Sequence, residues 1–299
     1  MNLMTWFMLF GFIGKKSLTV IYAVALWISG WFAFMEIMNV SFNGNEALYI
    51  LIAGIIVTIF IAPGLLRFSA RVSPERQRHM AFGFVLIERN LEKVDTFKVL
   101  TSAVSRQKKG LLEMWGIVSR EGALSMAKKL SEAKVHTPFT DDVYNKIIKK
   151  NITFTQLEEL SQEELKEALS VLKEENAYQS GRVLHGLQCY NEQKRILLQN
   201  GYPELDISQI KTLAAWDYGR TAYILRFSAH SGYLKPDEAW EHMEAAADKA
   251  VSAYDNWGQY FAAYYLGRAL GYGMIEESDP AVKYSFLEKK PFGKIPFRG

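Results

Sequence analysis

Charged residues set among apolar ones, with tryptophans close by in the sequence, are the part of this chain best suited to chemistry. Six residues of the stretch 207–273 have this character: Trp216, Asp217, Arg220, Trp240, Trp257 and Arg268. At about 100° per residue, a helix here projects Asp217 into the middle of an apolar stripe. A lone buried charge costs several kcal/mol, so we expect Asp217 to pair with Arg268 or Arg220 across packed helices. The tryptophans would then wall the pair and exclude water.

This cluster has two interpretations. The first, which we favour, is a structural ion pair that fixes how the helices pack. The second is a ligand-binding or catalytic pocket, in which arginines hold a carboxylate or a phosphate between aromatic walls. A general base for the second is not clearly presented, since Glu241, His242 and His230 are candidates only through proximity in the sequence. Gly219 and Gly267 each precede one of the arginines and are expected to let helices approach closely.

Known catalytic motifs give no further guidance. The sequence contains no Walker loop, G-x-S-x-G, H-E-x-x-H or paired-carboxylate motif. His185 and Cys189 stand four residues apart, which is typical of packing on one helix face, and nothing marks the thiol as activated. Cys189 is the only cysteine, which excludes a disulfide framework and a C-x-x-C zinc site. We therefore predict no metal and no cofactor, and we leave enzymatic activity open.

Most of the cluster belongs to a series of motifs that resembles a known family. The series comprises Trp216-Asp217-Tyr218-Gly219-Arg220, Gly232-Tyr233-Leu234, Glu238-Ala239-Trp240, Trp257 and Tyr265-Leu266-Gly267-Arg268, preceded by Trp115-Gly116-Ile117 and the run 119–124. It is similar to the DUF1266 family over about 112–272. The chain departs from the family pattern at Gly271-Tyr272-Gly273, which leaves the end of the last helix open. The resemblance implies an architecture and a residue cluster but no activity, because the function of the family is unknown.

Helices must position these residues, because helical periodicity dominates the chain after residue 67. Three helices carry the cluster and are predicted at about 207–231, 236–254 and 257–272. The second begins at Pro236, and the third is capped by Asp255 or Asn256. The soluble part is therefore predicted to be all-α, with the family-like domain at 111–275, a juxtamembrane helical region at 68–110 and a C-terminal tail at 276–299.

Upstream of the cluster the predicted elements are shorter. Helices are expected at 80–104, at 120–133 after the N-cap Ser119, and at 178–200, with a break at 135–142 around Pro138. Two capping-box patterns, Thr155 with Glu158 and Ser161 with Glu164, predict two short helices that follow each other directly. A short strand at 152–154 is the one departure from helix that the pattern allows.

Two apolar runs near the start of the chain predict a membrane anchor. Residues 18–35 and 47–66 contain no Asp, Glu, Lys, Arg or His, and a spanning helix needs about 20 apolar residues. We therefore predict a transmembrane hairpin at 17–67, with helices at about 17–37 and 46–66 after an interfacial segment 1–16. Basic residues flank both outer ends while the connector has none, so both termini are predicted to be cytoplasmic. The predicted location is the inner membrane of a bacterial cell.

Composition narrows the function classes without choosing one. The 299-residue chain carries a net charge of +3, with acids and bases interleaved, which does not indicate a nucleic-acid surface. The expected partners are the lipid bilayer, an unknown protein and, through small residues in the apolar runs, a second copy of the chain. We favour a membrane-tethered cytoplasmic interaction or scaffold domain. The alternative is a small-ligand sensor or an enzyme that uses Asp217, Arg220 and Arg268; a channel is disfavoured because the runs lack ionisable residues.

Overall fold

The computed structural model describes residues 71–90, 92–99, 103–289 and 291–298. Regular structure in these residues is helical apart from an isolated antiparallel bridge between Arg71 and Thr96. The all-α prediction is therefore confirmed for the described part of the chain. Two compact units divide the chain: Met1–Arg71 with Thr96–Ala103, and Val72–Asp95 with Val104–Gly299. Every helix named below belongs to the second unit.

The predicted hairpin 17–67 and the interfacial segment 1–16 lie outside the described residues. Within the described residues, no helix combines the length and the apolar character that crossing a bilayer requires.

Fourteen α-helices occur in the described residues. The α-helices are α1 Pro74–Ala81, α2 Phe84–Arg89, α3 Val104–Trp115, α4 Arg120–Ser131, α5 Thr137–Lys146, α6 Phe154–Glu158, α7 Gln162–Leu169, α8 Glu174–Ala177, α9 Ser180–Gln199, α10 Glu204–Ser208, α11 Ala215–His230, α12 Pro236–Ala253, α13 Trp257–Tyr272 and α14 Tyr284–Leu287. Three 3-10 turns lie at Ile148–Lys150, Pro280–Val282 and Phe292–Lys294.

Local start signals place several of these helices where the sequence predicts them. The hydroxyl of Ser119 accepts a hydrogen bond from the N–H of Gly122 at 3.2 Å, so α4 begins at the predicted residue. Ser161 and Glu164 form the predicted capping box of α7. Asn256 caps α13 by accepting from the N–H of Gln259 at 2.7 Å. These side chains satisfy N–H groups that the first turn of a helix leaves without partners.

Other predicted boundaries are wrong. The helix expected at 207–231 begins only at Ala215, as α11, and the non-helical residues 209–214 separate it from the short helix α10. The helix expected at 80–104 is two short helices, α1 and α2, and neither extends beyond residue 89. The break expected around Pro138 is instead the start of α5, because proline is tolerated in the first turn, where the missing N–H has no helical partner. The strand considered at 152–154 does not form: Thr153 caps α6 in a capping box with Gln156, two residues before the box predicted at Thr155.

The core is built around α11 and α13. Both helices are buried on nearly every side, with Tyr272 the one residue of α13 that is not. The central helix α13 packs against α9 on one side and α11 on another. Gly219 and Gly267 permit the close approach predicted for them: a Cβ atom would lie 2.8 Å from Cε2 of Tyr264 at the first and 2.9 Å from the carbonyl oxygen of Leu213 at the second.

Candidate functional site

Asp217 and Arg220 lie one turn apart near the start of α11, inside the core. Asp217 is fully buried and Arg220 is 3 % exposed. The guanidinium donates through Nη2 to Oδ1 of the carboxylate in a short ion pair. Of the two arginines considered as partners, Arg220 is therefore the one that contacts Asp217. The pair lies within a single helix and not across two helices as expected, because residues three apart face the same side.

The second carboxylate oxygen of Asp217 joins α11 to the start of α5. Oδ2 accepts hydrogen bonds from the N–H of His136 at 3.0 Å, the N–H of Thr137 at 3.1 Å and the hydroxyl of Thr137 at 2.8 Å. Backbone N–H groups at a helix start lack helical partners and carry partial positive charge. Asp217 therefore caps α5 from a distant part of the chain, a role that ordinarily belongs to a residue next to the helix.

His136 lies between the two charged groups at the edge of the cluster. Its Nδ1 is 2.7 Å from Nη2 of Arg220 and 3.3 Å from Oδ1 of Asp217. A guanidinium can only donate, so the shorter contact makes Nδ1 an acceptor and places the proton of the neutral imidazole on Nε2. Burial and the charge of Arg220 lower the pKa of His136 from its ordinary 6.5, despite the opposing carboxylate of Asp217.

The cluster also keeps Asp217 ionised. Burial alone would raise the pKa of its carboxyl, but the charge of Arg220 and the backbone N–H groups of His136 and Thr137 lower the pKa, to about 2. Burial lowers the pKa of Arg220, and Asp217 opposes that effect. With both oxygens engaged, Asp217 offers no free position from which to act as a general base.

Aromatic rings enclose the guanidinium of Arg220. The Cζ atom lies 4.0 Å from the ring centre of Trp216 and 5.7 Å from that of Trp115, and Nε donates to the carbonyl oxygen of Trp216 at 3.0 Å. The ring of Trp216 also packs on His136 at 4.2 Å and on Tyr272 at 4.5 Å. Trp216 therefore packs on the pair, and it links the buried charges to Tyr272 at the surface.

Arg268 belongs to a different network. Its Nη1 donates to Oε2 of Glu276 at 3.2 Å, and Arg89 reaches the same carboxylate and that of Asp279. Gln193 of α9 fixes the backbone of Glu276 through hydrogen bonds at 2.7 and 3.0 Å. The segment after α13, predicted to be a tail from residue 276, thus supplies the carboxylates that Arg268 needs.

The remaining two tryptophans lie in other parts of the fold. The guanidinium of Arg76 in α1 stacks over Trp240 at 4.8 Å. Trp257 donates through Nε1 to the carbonyl oxygen of Ile295 at 2.8 Å and packs on Phe82 with ring centres 4.8 Å apart. Of the predicted set, the structure brings Trp216, Asp217 and Arg220 together and places the other three elsewhere.

The other candidates for chemistry are not assembled into a site. Glu241 and His242 lie on the exposed side of α12. Sγ of Cys189 lies 3.8 Å from Nε2 of His185, but burial raises the pKa of the thiol, which disfavours the reactive thiolate.

Sequence reasoning missed His136 and Thr137, the two residues that complete the cluster. A signal for them exists, because Thr137-Pro138 is typical of a helix start and a helix start attracts a carboxylate.

Comparison with known proteins agrees with the motif series. The family described as "Protein of unknown function (DUF1266)" matches residues 110–289. The chain belongs to this family. The match includes the Asp217–Arg220 pair, α5 and the Arg268–Glu276 pair, so the geometry of both pairs lies within the DUF1266 region.

A curated relative is similar over a shorter stretch. The uncharacterized protein YbeR of Escherichia coli (strain K12) is 29% identical over 80 residues, which is 27% of this chain and 34% of YbeR. The chain therefore matches about a third of that relative's length. No solved structure matches the chain.

Proposed function

We propose that this DUF1266 protein is a membrane-tethered, non-enzymatic interaction domain. The observation that carries the proposal is the pairing inside the cluster: both oxygens of Asp217 accept from neighbouring protein groups, and Arg220 donates to Asp217, to His136 and to the carbonyl oxygen of Trp216. A buried carboxylate whose two oxygens both accept from the protein holds helices together and is not free to act on a substrate. The sensor or enzyme alternative needs Asp217, Arg220 and Arg268 in one pocket, and Arg268 is committed to Glu276.

The surface that we propose for the interaction lies directly outside this cluster. Tyr272, Met274 and Ile275 are 55 %, 50 % and 41 % exposed within four residues at the end of α13. The ring of Tyr272 rests on Trp216 and His136, so the buried ion pair fixes the position of this patch. We name these three residues the 272–275 patch.

The surroundings of the patch indicate what it would bind. Ile275 borders an open groove of about 550 Å³ that Arg195 also lines. Arg182 lies beside the patch, where it donates to the carbonyl oxygen of Gly271 at 3.0 Å. Exposed apolar side chains next to a guanidinium suit a protein segment that presents an apolar residue and a carboxylate. We therefore infer a protein partner of that chemistry.

The tether rests on the two uncharged apolar runs, each long enough or nearly long enough to span a bilayer. Alkaline carbonate washing of membranes from cells that express the full chain tests it. The chain should stay in the pellet, and a control with lysines in both runs, Val24→Lys and Leu26→Lys together with Ile55→Lys and Ile56→Lys, should be released. Release of the unaltered chain would refute the tether but not the interaction role.

Site-specific photo-crosslinking tests the interaction role. A photoreactive residue at position 274 of the full chain should give one protein adduct, whereas the same residue at the 64 % exposed Leu205 should give none. The purified partner should then bind the unaltered chain and lose at least tenfold in affinity for Ile275→Asp, with the melting temperature unchanged. No adduct at position 274, or equal adducts at both positions, would refute the proposal.

A further inference from the structure

We propose that Glu75, His79 and Glu244 form a binding site for a first-row divalent metal ion such as Zn²⁺ or Mn²⁺. Each of the three offers one ligand atom, and these atoms lie within 4.8 Å of one another. Ligands about 2.0–2.2 Å from a tetrahedral ion are about 3.4 Å apart. Small rotations of two exposed glutamate side chains cover the difference, without movement of either helix.

The three ligands come from two helices that are already packed together. Glu75 and His79 are one turn apart on α1, so both side chains face the same direction. Glu244 comes from α12, which packs against α1. Arg76 stacks over Trp240 at 4.8 Å, one turn before Glu244, and holds the two helices in register. The geometry is therefore supplied by the fold and is not built by the ion.

The environment of His79 suits metal binding at neutral pH. The imidazole is 3 % exposed and faces two carboxylates at the solvent edge. A neutral imidazole has a lone pair for a metal, and the nearby carboxylates supply the negative charge that a divalent ion requires.

Arg78 competes with a metal ion for His79. Its Nη2 lies 3.2 Å from Nε2 of His79, where the guanidinium must be the donor, so the proton of the neutral imidazole is on Nδ1. Binding through Nε2 displaces Arg78, and binding through Nδ1 moves the ring proton to Nε2, which also ends this hydrogen bond. Arg78→Ala should therefore tighten metal binding whichever nitrogen is the ligand.

The ligand atoms, one nitrogen and two oxygens, indicate which metal ions the site prefers. One imidazole and two carboxylates favour Zn²⁺ or Mn²⁺ over Ca²⁺ and Mg²⁺, which prefer oxygen ligands alone. Three protein ligands leave a coordination position for water. The bound ion would clamp α1 to α12, so metal should stabilise the folded protein.

Isothermal titration of the untagged full chain with ZnCl₂ and with MnCl₂, after chelator treatment, tests the site. We expect one ion per chain and a rise in melting temperature on binding. Glu75→Gln and Glu244→Gln, at exposed positions that tolerate substitution, should each weaken binding at least tenfold. The matched control His242→Gln removes an exposed histidine of α12 and should bind as the unaltered chain does. Absence of binding, or an affinity that neither glutamate substitution changes, would overturn the proposal.

Discussion

Replacing Asp217 by Asn removes the charge of the buried pair while keeping the size of the side chain. The partner Arg220 is 3 % exposed, so it would remain in the core without its counter-ion. Breaking a buried pair from one side typically costs about 3–5 kcal/mol. A second route gives a similar size: lowering the pKa of Asp217 from 3.8 to about 2 corresponds to roughly 2 kcal/mol of stability at neutral pH. We therefore expect Asp217→Asn to lower the free energy of unfolding by about 2–5 kcal/mol.

Urea unfolding of the full chain in detergent, followed by circular dichroism at pH 7, measures this loss. The control Glu113→Gln breaks the exposed pair with Lys109, 3.7 Å apart, and should cost less than about 0.5 kcal/mol. Adding Arg220→Met to Asp217→Asn removes the orphaned charge and should recover part of the stability. The reasoning would be refuted if Asp217→Asn cost no more than Glu113→Gln.

The lowered pKa of Asp217 also predicts how the stability of the protein depends on pH. The folded-state pKa of Asp217 is depressed, so its contribution is fully present above the unfolded value of 3.8 and is lost as pH falls through about 2. The unaltered chain should therefore lose roughly 2 kcal/mol across that window that Asp217→Asn does not lose. Parallel loss in both proteins would show that other groups are responsible.

Three further expectations follow from the contacts around the cluster. The pKa of His136 is lowered in the folded protein, so its contribution to stability is present above the unfolded-state pKa of 6.5 and is lost as the pH falls through the folded-state pKa. His136→Gln should therefore flatten the change in urea midpoint between pH 7.5 and 5.5. The control His242→Gln should not. Gly186→Ala would place Cβ 2.4 Å from the carbonyl oxygen of Leu270 and should cost about 1–3 kcal/mol, while Gly181→Ala on the same helix meets nothing within 4 Å and should cost nothing in thermal melts. Arg268→Gln should add to Asp217→Asn within about 0.5 kcal/mol, and Arg220→Gln should not; strong coupling through Arg268 would contradict the separation of the two networks.

The sequence could predict that Asp217 is buried and paired, because a carboxylate inside an apolar stripe is too costly to bury without a partner. It could not rank the partners. Both α11 and α13 are buried on nearly every side, so hydrophobic periodicity does not say which face of α13 meets α11. Arg268 looked equivalent to Arg220 for that reason, and its real partner Glu276 lay in a segment without helical signals.

The sequence predicts the start of a helix correctly where it contains a single capping-box pattern. The prediction is ambiguous where two such patterns lie close together. Ser161 with Glu164 is an isolated capping box, and it caps α7. The preceding region contains both Thr153 with Gln156 and Thr155 with Glu158, and the two are equivalent as patterns. Asn151 in the left-handed conformation ends the preceding turn and leaves Thr153 as the first residue free to cap. This choice depends on a backbone conformation that the pattern does not encode.

Buried arginines have a common arrangement in this fold. Arg220 is matched by Asp217 within α11, and that carboxylate in turn caps α5. Arg226, also in α11, is fully buried and lies 3.3 Å from Glu92, which follows α2. Arg268 of α13 is matched by Glu276 beyond the end of the helix.

These ion pairs determine how the two most buried helices, α11 and α13, are oriented in the core. Helices that are apolar on all sides can rotate or slide with little change in buried area, so hydrophobic packing alone specifies their orientation weakly. A buried charge tolerates only the orientation that brings it to its partner, because any other leaves it uncompensated at a cost of several kcal/mol. The contacts of Asp217 with α5 and of Arg226 with Glu92 therefore fix the rotation of α11. Arg268 fixes the rotation of α13 through Glu276, a carboxylate that it shares with Arg89. We expect the charges of this core to supply specificity of packing more than net stability.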